Sequence, residues 1–322
     1  MGKTSISWTA SPDGTPGSSW NVMSGCSAAL PCYERCYARR MAQRLRGRFG
    51  YPQDDPFRVT LHPDRLEEPL HLKKPQRIFV ASMGDLFHPR VPWEFIFRVF
   101  AVMEKCPQHT FLLLTKRPGR MAYYAESFET RMRTGQTAWP PNVWAGVSIT
   151  EARDLPWLDV LERVPAPARF VSLEPLLGDV NLTPWIGCEE CHGNPDRDIV
   201  CGCGNVADPT NGADPRDIDW VVCGGETGPG ARPMNPEWVR SIRDQCEEAG
   251  VPFHFKGWGE WFPRDQWEWQ PELTLPDDDE AYQDGPNTKV FLDDAGVFPV
   301  HRVGRRAAGH LLDGVEHREV IP

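Results

Sequence analysis

Six short runs of the chain are almost continuously apolar: Arg77–Met83 (RIFVASM), Thr110–Thr115 (TFLLLT), Val143–Ile149 (VWAGVSI), Arg169–Leu173 (RFVSL), Asp219–Cys223 (DWVVC) and Pro252–Phe255 (PFHF). Runs of this length without alternation read as strands covered on both faces. An earlier stretch, Ser5–Thr9 (SISWT), alternates and reads as a short first strand. Between the runs the apolar period changes to that of a helix. Val91–Lys105 carries Pro92 in its first turn and Phe95, Val99, Val102 and Met103 near one face. Pro236–Ala249 has Asn235 as N-cap, Pro236 at the first helical position and Gly250 as its stop. Tyr33–Arg48 is helix-compatible throughout. Apolar strands alternating with helices predict an α/β fold with a parallel sheet covered by helices.

Polar residues recur just past the end of each strand: Gly84-Asp85, Lys116, Glu151, Glu174, Gly224-Gly225-Glu226 and Lys256. Barrels and open α/β sheets place their active sites along that edge. Asp85, Lys116, Glu151, Glu174, Glu226 and Lys256 are therefore expected around one mouth, with the loop after the first strand. Beyond Trp261 the pattern changes to an acidic and aromatic one, with Trp267, Trp269 and the run Asp277–Glu280. This predicts one body over residues 1–262 and a largely irregular extension over 263–322, with a small hairpin from Val290–Asp293 and Val300–Arg306.

The chain has 322 residues, 40% of them apolar, which is enough for a sizeable core. It contains no run of 18 apolar residues and no charged, apolar, small-residue leader at MGKTSISW, so a soluble cytoplasmic protein without a membrane partner is expected. Its formal net charge of −10 argues against broad, non-specific binding to nucleic acid. A local contact remains open, because Arg35, Arg39, Arg40, Arg44, Arg46 and Arg48 form one dense basic patch. A solvated helix face is the plain alternative.

Ten cysteines in a chain without an export signal speak for metal rather than disulfides. Three of them, Cys26, Cys32 and Cys36, fall within eleven residues beside the arginines. Cys32 and Cys36 stand one turn apart on any helix that includes both, and Cys26 arrives from the preceding loop. Such a trio suits an iron-sulfur cluster with one iron left open, whereas zinc would want a fourth protein ligand. Ordinary packed thiols are the alternative, and Cys106 and Cys246 are read that way. A second set, Cys188-x2-Cys191 followed by Cys201-x-Cys203, lies in a Gly-, Asp-, Asn- and Pro-rich insertion over residues 187–217. That segment is too polar to bury a core, and four thiolates would let one tetrahedral metal hold it: zinc first, an auxiliary iron-sulfur cluster second, with a metal-free segment as the remaining alternative.

The motifs SWNVMSGC, CYA, FVASMGDLFH, FLLLTKRPGRM, VWAGVSI, RFVSLEPLLG, DWVVCGGETGPGARPMNPEWVRSIRDQC and VPFHFKGWGEW together resemble an uncharacterised phage-associated three-cysteine family, itself similar to radical S-adenosylmethionine enzymes. The resemblance spans most of Ser5–Phe262. It implies a partial (β/α) barrel with a 4Fe-4S cluster on Cys26, Cys32 and Cys36, to which the small Cys-rich metal-binding insertion read above would be added. It also implies S-adenosylmethionine near Gly84, Asp85, Ser148 and Glu174, with Lys116, Glu226 and Lys256 as substrate or proton-transfer residues. A reductant for the cluster and a partner protein of the three-cysteine-motif kind are implied as well. Two departures mark this chain. The trio is spaced five and three apart, where the radical enzymes have three and two and the phage-associated family six and two. Met83-Gly84-Asp85 also stands after the second strand, where typical radical enzymes carry Gly-Gly-Glu to hold the cofactor's amine. The expected activity is radical chemistry on a nucleic-acid base or nucleotide, as modification or photolesion repair. The alternative is an iron-sulfur binding or sensor protein on a degenerate barrel.

Overall fold

The structure, a computed structural model, describes residues 1–29, 33–127, 139–187, 218–275 and 282–321. The fold is mixed α/β, with eight strands of the mainly parallel kind. Its contacts divide it into two units, Met1–Ser148 with Pro156–Ser172, and Ile149–Leu155 with Leu173–Ile321. This division does not fall after Phe262. No helix among the described residues is long and apolar enough to cross a membrane.

In the first unit the strand order is β1 (Gly2–Lys3), β2 (Ser18–Trp20), β5 (Arg77–Val80), β6 (Thr110–Thr115), β7 (Val143–Ser148) and β8 (Arg169–Leu173). Only β1 runs antiparallel to its neighbour. Register follows burial: Ile78 stands level with Ser18 and Phe111, and Leu113 with Val80 and Ala145. Phe79, Phe111, Val143, Val147, Phe170 and Val171 are buried, as strands without alternation require. Gly146 admits the Phe170 ring, which a Cβ there would meet at 2.4 Å. Two further short strands, β3 (Met23–Ser24) and β4 (Thr60–Leu61), pair antiparallel. The helices are α1 (Tyr37–Arg44), α2 (Trp93–Glu104), α3 (Pro118–Glu126) and α4 (Pro156–Glu162). Asn142 binds the end of α2 to the sheet by donating to the carbonyls of Met103, Cys106 and His109 at 3.0, 2.9 and 3.1 Å.

Ser5–Thr9 is not a strand. Ser7–Thr9 forms a 3₁₀ turn, because Thr4 Oγ1 accepts from Ile6 N–H and Thr9 Oγ1 donates to the Ile6 carbonyl, local bonds that compete with a sheet ladder. Trp8 is buried there against Phe79 and Phe170. The strands that precede the cysteines are Ser18–Trp20 and Met23–Ser24 instead.

In the second unit, β9 (Trp220–Gly224) and β10 (Phe253–Gly257) are parallel. Between them runs α6 (Pro236–Glu248), which follows the one-turn α5 (Thr183–Ile186) in chain order. Asn235 caps α6 by accepting from Glu237 N–H at 3.1 Å, and Gly250 sits at φ 62 beyond its end. Cys246 is buried within this helix, as expected of a packed thiol. The C-terminal stretch is more regular than its composition suggests. Strands β11 (Trp261–Pro263), β12 (Thr288–Asp293) and β13 (Gly296–Arg302) form a three-stranded antiparallel sheet, and Arg305–Ala308 forms a final turn, α7. Later residues return to the unit's core, where Glu319 O accepts from Trp220 Nε1 and Leu311 O from Trp258 Nε1. Asp313 takes Arg240 and Arg243 of α6 at 2.7 and 2.6 Å. The run Asp277–Glu280 lies outside the described residues.

Candidate functional site

Two glycines build the cysteine loop. Gly25 follows β3 at φ 86, and a Cβ there would lie 2.1 Å from the Arg58 carbonyl oxygen, so only glycine fits. A Cβ on Gly84 would stand 2.3 Å from Met23 Sδ. With both positions bare, Gly25 N–H donates to Met83 O at 3.0 Å and Cys26 N–H to Phe57 O at 3.2 Å. Gly84 thus serves the close approach of the turn after β5 to the cysteine loop. Cys36 arrives from the other side, as N-cap of α1 after the 3₁₀ turn Tyr33–Arg35. Both thiols are free, half-buried, and packed on one apolar cluster of Ala38, Ala42, Tyr51, Phe57 and Met83. Cys32 lies outside the described residues. One continuous helix over Tyr33–Arg48 is not what forms: α1 starts after Cys36 and ends at Arg44.

Beside Cys26 lies a charged knot that centres on Asp85, 4% exposed. Its Oδ1 accepts from Thr115 Oγ1 at 2.7 Å and Phe87 N–H at 3.0 Å, and its Oδ2 from Lys116 N–H at 3.1 Å and Arg117 Nη1 at 2.9 Å. Arg117 Nη1 also donates to Cys26 Sγ at 3.4 Å, while Nη2 reaches the Ser27 carbonyl and hydroxyl at 3.0 and 3.2 Å. Burial pushes the Cys26 thiol up, Asp85 adds to that, and Arg117 opposes it. Arg90 N–H donates to His88 Nδ1 at 3.1 Å, so the neutral ring carries its proton on Nε2 and gives it to Ser27 Oγ at 2.8 Å. Burial, then Arg117, holds His88 down at about 4. Lys116 turns away from this knot and donates from Nζ to Ser148 Oγ at 3.0 Å.

The remaining sequence candidates lie in the second unit. Glu174 pairs with Lys256 at 2.5 Å, and Gly224 passes close enough that a Cβ would meet Lys256 Cβ at 3.2 Å and Glu174 Oε1 at 3.3 Å. Glu226 is buried and faces Arg232 as a fork: Oε1 accepts from Nη2 at 2.7 Å, and Oε2 from Nε and the Arg232 N–H at 2.9 Å each. That pair ties back the Gly-Gly-Glu turn and the loop after it. Glu151 pairs with its near neighbour Arg153 at 2.7 Å.

The arginines are less free than a bare helix would leave them. Arg39 pairs with Glu34 at 2.5 Å and lies over Tyr33, and Arg40 donates to the Arg35 carbonyl. Arg46 and Arg48 stand beyond the end of α1 and close its last turn, Arg46 on Gln53 O and Gln43 Oε1, Arg48 on Arg44 O. Among the described residues no group of three His, Cys, Asp or Glu side chains is placed to hold a metal. Cys188, Cys191, Cys201 and Cys203, like Cys32, lie outside those residues. Arg117, Ser27 and His88 were missed by sequence reasoning. The signals for them were Arg117 within TKRPG at a strand end, Ser27 directly after the first cysteine, and His88 closing MGDLFH.

These features define an α/β protein that presents a glycine-built cysteine loop and a buried Asp–Arg pair at the ends of parallel strands. The chain belongs to a family of proteins of unknown function, DUF5131, whose model matches residues 3–321. No curated protein sequence matches it. Two solved structures are similar at low identity. Spore photoproduct lyase complexed with dinucleoside spore photoproduct shares 8% identity at a TM-score of 0.34, over 92% of this chain and 72% of that one. A cysteine-to-serine mutant of spore photoproduct lyase shares 9% at 0.37, over 94% and 71%.

Proposed function

We propose that the protein is an iron-sulfur enzyme of the radical S-adenosylmethionine type, built on a partial (β/α) barrel and acting on a nucleic-acid base or nucleotide. The observation that carries this reading is the convergence of Cys26, from the loop after β3, and Cys36, at the start of α1, on one apolar wall beside Arg117. The donor set fits the cluster: free thiols, a neighbouring cation, and a carboxylate already engaged elsewhere. With Cys32 as third ligand, a 4Fe-4S cluster keeps one iron open, and together with S-adenosylmethionine it supplies a hydrogen-abstracting 5′-deoxyadenosyl radical.

The chain's own residues do the rest. Arg117 holds the Cys26 side chain and lowers the electron density on its sulfur. Asp85 fixes Arg117 and the start of the loop after β6. Tyr51, Phe57 and Met83 form the apolar cluster on which the thiols pack. Ser27 Oγ accepts from both His88 and Arg117, so its own hydrogen is directed away from them and is available to a polar group of a ligand at Cys26. Lys116 with Ser148, Lys256 with Glu174, and Glu226 are the groups proposed to meet cofactor and substrate. For the second cysteine set, structural zinc stands as a proposal on spacing alone.

One observation favours the alternative, a cluster-bearing binding or sensor protein. Asp85 occupies the turn where a carboxylate would take the cofactor's amine, yet four donors already engage it. Measuring 5′-deoxyadenosine after anaerobic reconstitution and reduction separates the two readings. Its release supports the enzyme; a full cluster with no release supports the sensor.

A further inference from the structure

Between the end of α1 and Tyr51 the chain makes a tight turn that no catalytic role explains. Gly47 at φ 69, Phe49 at φ 51 and Gly50 at φ 80 all adopt left-handed backbone, which is uncommon for a bulky residue such as Phe49. The turn is nevertheless well fixed. Gly47 N–H donates to Tyr51 O at 3.0 Å, Tyr51 N–H to Arg48 O at 2.9 Å, and Arg65 Nη2 to Phe49 O at 2.6 Å. Gly50 packs on the His62 ring, and a Cβ there would lie 2.8 Å from it. All this framework holds a phenyl ring that is 70% exposed.

The surroundings of that ring are basic. Arg44, Arg46 and Arg48 are exposed at the end of α1 and on the turn after it. Tyr37 and Met41, 48% and 40% exposed, lie one turn apart on α1, with Arg44 within about 60° of both at roughly 100° per residue. Rings and a thioether set among guanidiniums complement a polyanion with flat apolar faces. With a formal net charge of −10, broad contact with a polyanion is disfavoured and a local basic tip is the kind of surface that can make one.

The geometry points to Phe49 as a stacking wedge for an unpaired base, on a single-stranded or locally opened nucleic-acid strand whose phosphates meet Arg44, Arg46 and Arg48. This extends the nucleic-acid part of the proposed function and does not depend on radical chemistry. The strained backbone is consistent with a position kept for its side chain, since glycine would relieve the turn at no steric cost.

The test uses the full-length protein and a short single-stranded oligodeoxynucleotide that carries a fluorescent purine analogue. Phe49→Ala and Phe49→Gly should each weaken binding by about 5- to 100-fold and abolish quenching of the analogue. The salt dependence should stay unchanged, and the glycine variant should fold at least as well as wild type. Arg44→Gln and Arg48→Gln should instead each flatten the logarithmic salt slope by about 0.7. Unaltered binding and quenching in both Phe49 variants would overturn the inference, as would absence of binding by wild type at low salt. A change of oligomeric state without a change in nucleic-acid affinity would overturn it too, assigning the tip to a second copy. Failure here leaves the 5′-deoxyadenosine measurement untouched, and the reverse holds equally.

Discussion

Replacing Asp85 by alanine should be among the most damaging single changes in the first unit. Its carboxylate is buried and engages four donors: the Thr115 hydroxyl, the N–H groups of Phe87 and Lys116, and the Arg117 guanidinium. In the ion pair the side chains are 5% and 13% exposed, so solvent screens it little. Removing one partner of a buried pair costs about 3–5 kcal/mol, and each donor left without an acceptor adds on the order of 1 kcal/mol before relaxation. If relaxation leaves about 1 kcal/mol of the three donors' share, a loss of about 4–6 kcal/mol follows. Asp85→Asn keeps the shape but turns one acceptor into a donor facing N–H groups, and should cost about 2–4 kcal/mol. Thr115→Val removes two bonds, the hydroxyl's donation to Asp85 and its acceptance from Arg117 N–H at 2.9 Å, and should cost about 2 kcal/mol. Denaturant unfolding with hydrogen exchange at Thr115–Arg117 reads these differences locally, which matters in a chain of two units. The asparagine variant should also alkylate faster at Cys26, because Asp85 raises that thiol's pKa. Stability of Asp85→Ala within about 1 kcal/mol of wild type, or unchanged alkylation of Asp85→Asn, would refute the reasoning.

Other perturbations test separate parts of the account. His62 and His88 are held at about 4, by burial first and neighbouring arginines next, against an ordinary value of 6.5. Both favour the neutral form when folded, so their contribution is complete above about pH 6.5 and is lost as pH falls toward about 4, at up to about 1.4 kcal/mol per pH unit for each. His88→Asn should remove one histidine's share of that slope in acid unfolding curves, and an unchanged slope would count against burial of the neutral ring. Arg232→Met leaves the buried Glu226 carboxylate without its fork and should cost about 3–5 kcal/mol, read as new protease cuts between Gly224 and Arg232. Equal resistance of the variant would show that the pair does not tie back the loop. Lys256→Met removes the ion pair to a less buried carboxylate, Glu174, and should cost only about 1 kcal/mol of thermal stability.

Much of the strand framework was legible because strands covered on both faces need continuous apolar runs, as TFLLLT and RFVSL do. Helix α6 was legible for a different reason: Asn235, Pro236 and Gly250 are local signals that tertiary contacts do not override. Ser5–Thr9 misled because threonine side chains captured the backbone before a sheet could. The C-terminal sheet was only half visible. Its β13 carries Pro299, and it gains order from pairing with Trp261–Pro263, a contact that no local pattern announces. At the site, the strand-end polar residues were found by position, but position does not reveal partners. Asp85 and Glu226 read as cofactor and substrate groups and prove to be engaged by Arg117 and Arg232, cations that a strand-end rule does not single out. The arginine patch was legible as charge, whereas the exposed ring of Phe49 at its tip depends on a left-handed turn that composition cannot show.

Cys26, Cys32 and Cys36 are proposed to hold one four-iron cluster. The direct measurement is iron and sulfide content, with the low-temperature electron paramagnetic resonance spectrum, of anaerobically reconstituted wild type and the Cys26→Ala, Cys32→Ala, Cys36→Ala triple variant. Wild type should carry about four irons and four sulfides per chain, with a reduced-cluster signal that S-adenosylmethionine perturbs. In the triple variant both iron and signal should be lost, while any zinc is retained. A triple variant that keeps the full iron complement, or a wild type that binds none, would contradict that ligation.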